Sequence, residues 1–230
     1  MGKSGIITQS NYIPWKGYFD AIAKTDIFVV YDEMQFTKRD WRNRNLIKTE
    51  NGLKWLSIPV EVKGKFHQKI NETKVSDPKW GKSHWGVISQ AYRKSPYFSE
   101  IKGFLEPLYL NESPKFLSEI NMLFLNSICD YLGITTEIHF SKDFNLKEDR
   151  NDRLINLCTE LSITEYYSGP AAKEYMEISK FEENGIKVHF FDYSGYPTYK
   201  QLYGNFEHGV SIIDLLFNEG QKSIHFLKNT

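Results

Sequence analysis

Only two cysteines, Cys129 and Cys158, occur in the 230 residues, with no CxxC pair and no histidine near either in sequence. A disulfide framework and a thiolate metal knot are thereby excluded, and a reducing compartment is expected. Both cysteines fall in stretches of helical period, NMLFLNSICDYLG and DRLINLCTELS, at positions suited to a buried face, so two free buried thiols are anticipated. Long apolar runs are missing too. The opening segment MGKSGIITQSNY meets polar residues within a few positions, which argues against a signal peptide or a spanning helix and for a cytoplasmic protein.

There is no excess charge: Lys plus Arg and Asp plus Glu both number 29, giving a net charge of zero with histidine neutral. Nothing in that balance calls for nucleic acid or a membrane surface as a partner. Also absent are internal repeats, low-complexity tracts and any Gly-, Ser- or Pro-rich linker, so residues 1–230 are read as one domain. At this length folding buries roughly 70 % of the surface of the extended chain, and no staple is required. The chain has no GxGxxG after its first strand, no GxxxxGK[ST] loop, no HExxH and no GxSxG. The six histidines show no metal-ligand spacing. Nicotinamide, P-loop and zincin chemistry are therefore disfavoured, and no metal site is assigned.

What is present begins with a β-branched run at 5–8 (GIIT), followed after Pro14 by Trp15, Tyr18, Phe19, Ile22 and Ala23 at helical spacing. A continuous apolar run at 27–31 (IFVVY) then ends on Asp32 and Glu33, as a strand buried on both faces would. Strand, helix and strand make a βαβ unit. Farther on, strands are expected at 54–62 (with Pro59 marking an edge or bulge), 136–140, 164–168 and 187–193. Helices are expected at 78–92, 113–132 with Ser113-Pro114 as start and Gly133 as stop, 149–161, and 169–175. The fold class is α/β: an open, mostly parallel, Rossmann-like sheet with helices on both faces. Ligands in such sheets bind beyond the carboxyl ends of strands, so residues 9–12 and 32–35 should face each other across one crevice.

Several polar groups stand where that crevice is expected. Gln9 and Asn11 offer amide donors and acceptors at a strand's end. Tyr12, in the loop, can stack on a sugar or base, whereas Trp15 and Tyr18 sit at helical spacing and fit a core. Lys38, Arg39, Arg42, Arg44 and Lys48 surround Trp41 and Asn43 with Asp40 as the sole acid, a composition suited to phosphate or nucleotide; the alternative is a solvated basic loop. Ser168 and Gly169 precede a helix start and can present backbone N–H groups to an anion, or simply cap that helix. His84 reads as a packing histidine, and His67, His139, His189 and His225 lack acidic or cysteine neighbours at ligand spacing.

The run QSNYIPWKGYFDAIAKTDIFVVYDEMQFTKRDWRNRN at 9–45 resembles the WbqC-like bacterial protein family, whose members open with a Gln-Pro-Asn-Tyr-Leu-Pro-Trp-x-Gly-Tyr-Phe pattern. The family's Asp-Asp/Glu-x-Gln-Phe segment and its later Arg, Trp and Asn-Arg-Asn are also matched here. Resemblance continues in YSGPAA at 167–172, in Asp192-Tyr193, and in YKQLYGNFEHGVSIIDLLFN at 199–218, spanning nearly the whole chain. A departure occurs at Ser10, where the family usually has proline, which makes this loop less rigid.

The resemblance implies a part in surface-polysaccharide (lipopolysaccharide O-antigen) biosynthesis and a glycine-transferase type of reaction, in which an aminoacyl or acyl group passes to a sugar amine. On that footing Asp32, followed by Glu33 and Gln35, is a candidate general base or ligand for substrate hydroxyls, or else a cap for the following turn. His208, flanked by Glu207, is a candidate proton shuttle, or the pair simply closes the last loop. Gln201, in the same matched block, is a candidate substrate ligand, and Arg39, Arg42 and Arg44 are candidates to hold a diphosphate. The implied partner is a nucleotide-linked amino sugar. The donor is an activated acyl or aminoacyl group, or an amino acid activated with ATP. An aminoacyl-tRNA donor and a homodimer stay open. Outside this class stand a glycosyltransferase, for which Asp32-Glu33 is a poor DxD motif, and a non-catalytic sugar-nucleotide-binding protein.

Overall fold

A computed structural model describes residues 2–228. Strand β1 (Lys3–Thr8) lies at the centre of a five-stranded sheet, and helix α1 (Lys16–Ala23) carries the chain to β2 (Ile27–Val30) beside it. The chain then leaves the sheet for a hairpin of β3 (Arg44–Thr49) and β4 (Gly52–Ser57), followed by helices α2 (Trp80–Tyr92), α3 (Phe98–Leu110) and α4 (Leu117–Leu132). It re-enters at β5 (Glu137–Phe140) outside β2. Helix α5 (Arg150–Glu160) then crosses to β6 (Ile163–Ser168) on the other flank of β1, and α6 (Ile178–Glu183) leads to β7 (Lys187–Phe190). A last helix, α7 (Ile212–Glu219), closes the fold. The strand order is β5-β2-β1-β6-β7, with every neighbouring pair parallel.

Alternation along the strands explains why both faces are covered. Ile6, Phe28 and Val30 point into one core with residues of α1, α4 and α7, while Ile7, Ile27 and Val29 point into the other with residues of α5 and α6. All four residues of β2 are buried, and each such side chain contributes about 1.5–3 kcal/mol relative to exposure. Cys129 and Cys158 are free and buried, one in each core, and burial pushes both thiols up to about 12. Among the described residues no helix is long and apolar enough to cross a membrane.

Several expected elements differ in the structure, and helices α3 and α6 were not anticipated. The basic stretch at 38–48 is partly strand, because residues from Arg44 onward pair with β4. Strand β4 ends at Ser57, ahead of Pro59, which has no N–H to give a ladder. Helix α4 starts four residues after Ser113, because the backbone at Lys115–Leu117 is used in pairing: Val75 N–H donates to the Lys115 carbonyl and Leu117 N–H to that of Thr73. Gly169-Pro170 opens only a 3₁₀ segment, Pro170–Glu174, which buries Ala172 and so has no apolar stripe to extend. The expected stop at Gly133 stands, at φ 70°, where glycine has no steric cost.

Candidate functional site

The strand order reverses at β1: the chain adds β2 and β5 on one side and later β6 and β7 on the other. The carboxyl ends of β1 and β6 therefore diverge into a crevice. A cavity of about 630 Å³ opens there, walled by Gln9, Asn11 and Trp15 after β1, Ser168 and Gly169 at the end of β6, and Arg150 and Arg153 in the first turn of α5. A second cavity of about 330 Å³ has Asn11 and Trp15 in common with the first and adds Trp41, Asn45, His208 and Gly209. The two chambers thus share a wall made by the loop after β1.

Arg42 shapes that wall. Its Nη2 donates to Gln9 Oε1 at 3.0 Å and its Nη1 to Asn11 Oδ1 at 2.5 Å. With both amide oxygens taken by one guanidinium, the Gln9 Nε2 and Asn11 Nδ2 groups are fixed as donors, and among the described residues neither has a protein acceptor. Asn121 holds Arg42 in turn, donating to its carbonyl at 2.9 Å. Trp15 stands edge-on to Tyr193 (5.4 Å) and Tyr196 (5.5 Å). Gly17 is glycine because the indole lies over it: a Cβ there would come within 2.3 Å of Trp15 Cζ2. The Pro-Trp-Lys-Gly sequence thus packs the ring that both chambers use.

His208 is exposed at the mouth of the smaller chamber, edge-on to Phe206 at 4.6 Å. Partial burial and the Lys16 charge nearby hold its imidazole below the usual histidine range, so the ring is a neutral proton acceptor at neutral pH. Glu207 opposes that shift, but its Oε1 accepts from Gly209 N–H at 2.8 Å and so serves the turn. Lys16 is buried beneath the same loop, donating to the Pro197 carbonyl at 2.5 Å amid Tyr196, Tyr199 and Phe206. Burial pushes its ammonium down to about 8.

Other expected site residues lie elsewhere. Asp32 and the loop after β1 do meet, but they seal the gap between them. The Asp32 carboxylate is buried, accepts from Ser10 N–H (2.8 Å), Ser10 Oγ (2.6 Å) and Ser118 Oγ, and lines neither chamber. Oδ1 takes one of these donors and Oδ2 two, and burial away from both chambers keeps the carboxylate from a substrate. Tyr12 does not offer its ring from the loop: it is completely buried, edge-on to Trp80 and Phe124, and shares hydrogen bonds with His84 Nδ1 (2.9 Å) and the Tyr109 hydroxyl (3.0 Å). Gln35 is exposed and donates to the Phe66 carbonyl.

The basic cluster does not converge. Arg39 is exposed at φ 60°, Arg44 lies over the Trp55 ring at 4.0 Å and donates to the Arg39 carbonyl, and Asn43 donates to the Ile58 carbonyl. Of that stretch, Trp41 and Asn45 line a chamber, while Arg42 acts through Gln9 and Asn11. Gln201 is a structural hub: it accepts from Lys48 and Glu207 N–H and donates to the Glu207 carbonyl and to Asp214. Arg150, Arg153, Tyr175 and Tyr193, which do line the larger chamber, were not singled out as ligands from the sequence.

Comparison with known proteins gives the family model described as the WbqC-like protein family, matching residues 9–226. A relative in Mycobacterium tuberculosis, bearing the name Uncharacterized protein Rv1507c, is 51 % identical over 226 residues, covering 98 % of each chain. No solved structure matches.

Proposed function

The chain belongs to the WbqC-like protein family, and from that premise together with its cleft we propose that it passes an aminoacyl or acyl group to the amine of a nucleotide-linked amino sugar. The observation that carries the reading is the pair of chambers sharing Asn11 and Trp15, one of them furnished with an exposed neutral imidazole. The sugar ring lies against Trp15 and Trp41, whose faces suit its apolar side, with its hydroxyls on the amides that Arg42 orients. The rest of the nucleotide-linked substrate extends into the larger chamber.

In this scheme the sugar amine attacks the activated carbonyl of the donor. An N–C bond forms, the bond from the carbonyl carbon to the donor's leaving group breaks, and His208 takes the proton released by nitrogen. The Asn11 NH₂, which borders the chamber that holds His208, is the donor available to the developing oxyanion. Asp32 is assigned to holding Ser10 and Ser118, and so the loop that presents Asn11.

The test is incubation with nucleotide-linked amino sugars and activated acyl or glycyl donors, with mass spectrometry reading N-acylated product. His208→Ala is expected to lose turnover about 10²-fold or more while substrate affinity stays within a few-fold. Product formation at the wild-type rate in His208→Ala removes the proton-acceptor role, and substrate binding without product from any donor class leaves a binding protein.

A further inference from the structure

We propose that Arg150 and Arg153 form the binding site for the diphosphate of the substrate, so that the nucleotide end lies at the α5 end of the cleft. The inference rests on the substrate class proposed above and deepens it.

Both arginines line the larger chamber outside the ends of β1 and β6, the place where open α/β sheets take their ligands. Neither is used by the fold as a charge. Among the described residues no carboxylate forms an ion pair with either. Arg153 donates to the Glu148 carbonyl and reaches the Tyr31 hydroxyl only at 3.4 Å, and its Nε is buried with no partner. The Arg150 guanidinium rests 4.5 Å over the Tyr175 ring, a contact that positions the charge without neutralising it.

Of the flanking acids Glu148, Asp149 and Asp152, none pairs its carboxylate with either guanidinium, and Asp149 is committed to the helix cap: its Oδ1 accepts from Asn151 N–H (2.9 Å) and Asp152 N–H (3.0 Å). That cap also occupies the first amides of the helix, so the anion site consists of guanidiniums rather than backbone N–H groups. Two planar forks with a combined charge of two match a diphosphate, whose oxygens accept bidentate bonds. In the 39–44 cluster, by contrast, the Arg42 guanidinium is bonded to Gln9 and Asn11, and those of Arg39 and Arg44 line neither chamber, although Arg44 Nε, like Arg153 Nε, is buried without a partner.

Calorimetric titration with inorganic pyrophosphate, UDP and uridine tests the assignment on the full chain. Pyrophosphate and UDP should bind, uridine should be at least about tenfold weaker, and added salt should weaken the first two. Arg150→Gln and Arg153→Gln should each lower pyrophosphate affinity about tenfold. Arg150 is exposed, so its variant reads the site with the fold intact, and Arg153→Lys should recover only part of the loss because it keeps the charge without the fork. Unchanged pyrophosphate affinity in the double Gln variant overturns the assignment, as does a wild type that binds neither pyrophosphate nor UDP, or one in which glycine competes with equal strength. Because pyrophosphate carries no amine, binding at these arginines with no acyl transfer to any sugar would sink the transferase reading alone.

Discussion

Two polar regions of the molecule, the segment from Gln9 to Asn45 and the first turn of α5 with the chamber beside it, use charge in opposite ways. In the first, the central polar groups are spent inside the fold: Asp32 on Ser10 and Ser118, Arg42 on Gln9 and Asn11, Asn45 on the Tyr12 carbonyl and Leu46 N–H. In the second, Arg150 and Arg153 face a cavity with no carboxylate paired to them. The lesson is that a dense polar sequence marks a region that must be cross-linked, whereas unspent charge marks the place where something binds. Arg42 joins the two regions, since its bonds are internal but the donors it frees face the cleft.

The largest effect that can break this comparison is expected at Asp32. Removing a buried carboxylate that serves donors on two elements should cost about 3 kcal/mol in Asp32→Ala, read by urea unfolding. Intact stability with lost ligand binding would return Asp32 to the cleft. Tyr12→Phe comes next, at about 1–2 kcal/mol, because His84 Nδ1 and the Tyr109 hydroxyl lose a buried hydrogen-bond partner.

The same cluster carries a pH dependence. Burial pushes His84 down to about 4 from its ordinary 6.5, so between those values the unfolded chain binds a proton that the folded one does not. Stability should therefore fall as pH drops from about 6.5 toward 4, and a thermal-midpoint series on wild type and His84→Gln should show the slope flattening in the variant.

A smaller effect on stability, about 1 kcal/mol, is expected from Gly17→Ala, whose added methyl must displace Trp15. That variant should instead be conspicuous in weakened sugar binding, and unaltered binding would remove Trp15 from the site. Smallest is Arg150→Gln, for which the unfolding midpoint should hardly move.

The sheet was legible because its signals are periodic and local: 27–31 is apolar throughout, and 5–8 and 164–168 are short β-branched or aromatic runs before turn residues. Helix α3 left no comparable signal, since Gly103 and Pro107 interrupt it and only Ile101, Leu105 and Tyr109 are buried. Strand β3 was hidden by Arg44 and Lys48, which here lie along a hairpin. For the site, Gln9, Asn11, Ser168, Gly169 and His208 could be placed at strand ends or in loops beside the cleft. The fate of Asp32 could not, because it is decided by Ser118, 86 positions away in sequence. Arg150 and Arg153 look in sequence like any charged helix start, and only the crossover of α5 to the far flank of β1 brings them to the crevice.

The most direct measurement sets Arg42→Gln beside Arg150→Gln, recording the unfolding midpoint and pyrophosphate affinity of each. The account predicts a lowered midpoint with affinity held within a few-fold for Arg42→Gln, and an unchanged midpoint with affinity reduced about tenfold for Arg150→Gln. The reverse pattern, binding lost at Arg42 and kept at Arg150, would contradict it.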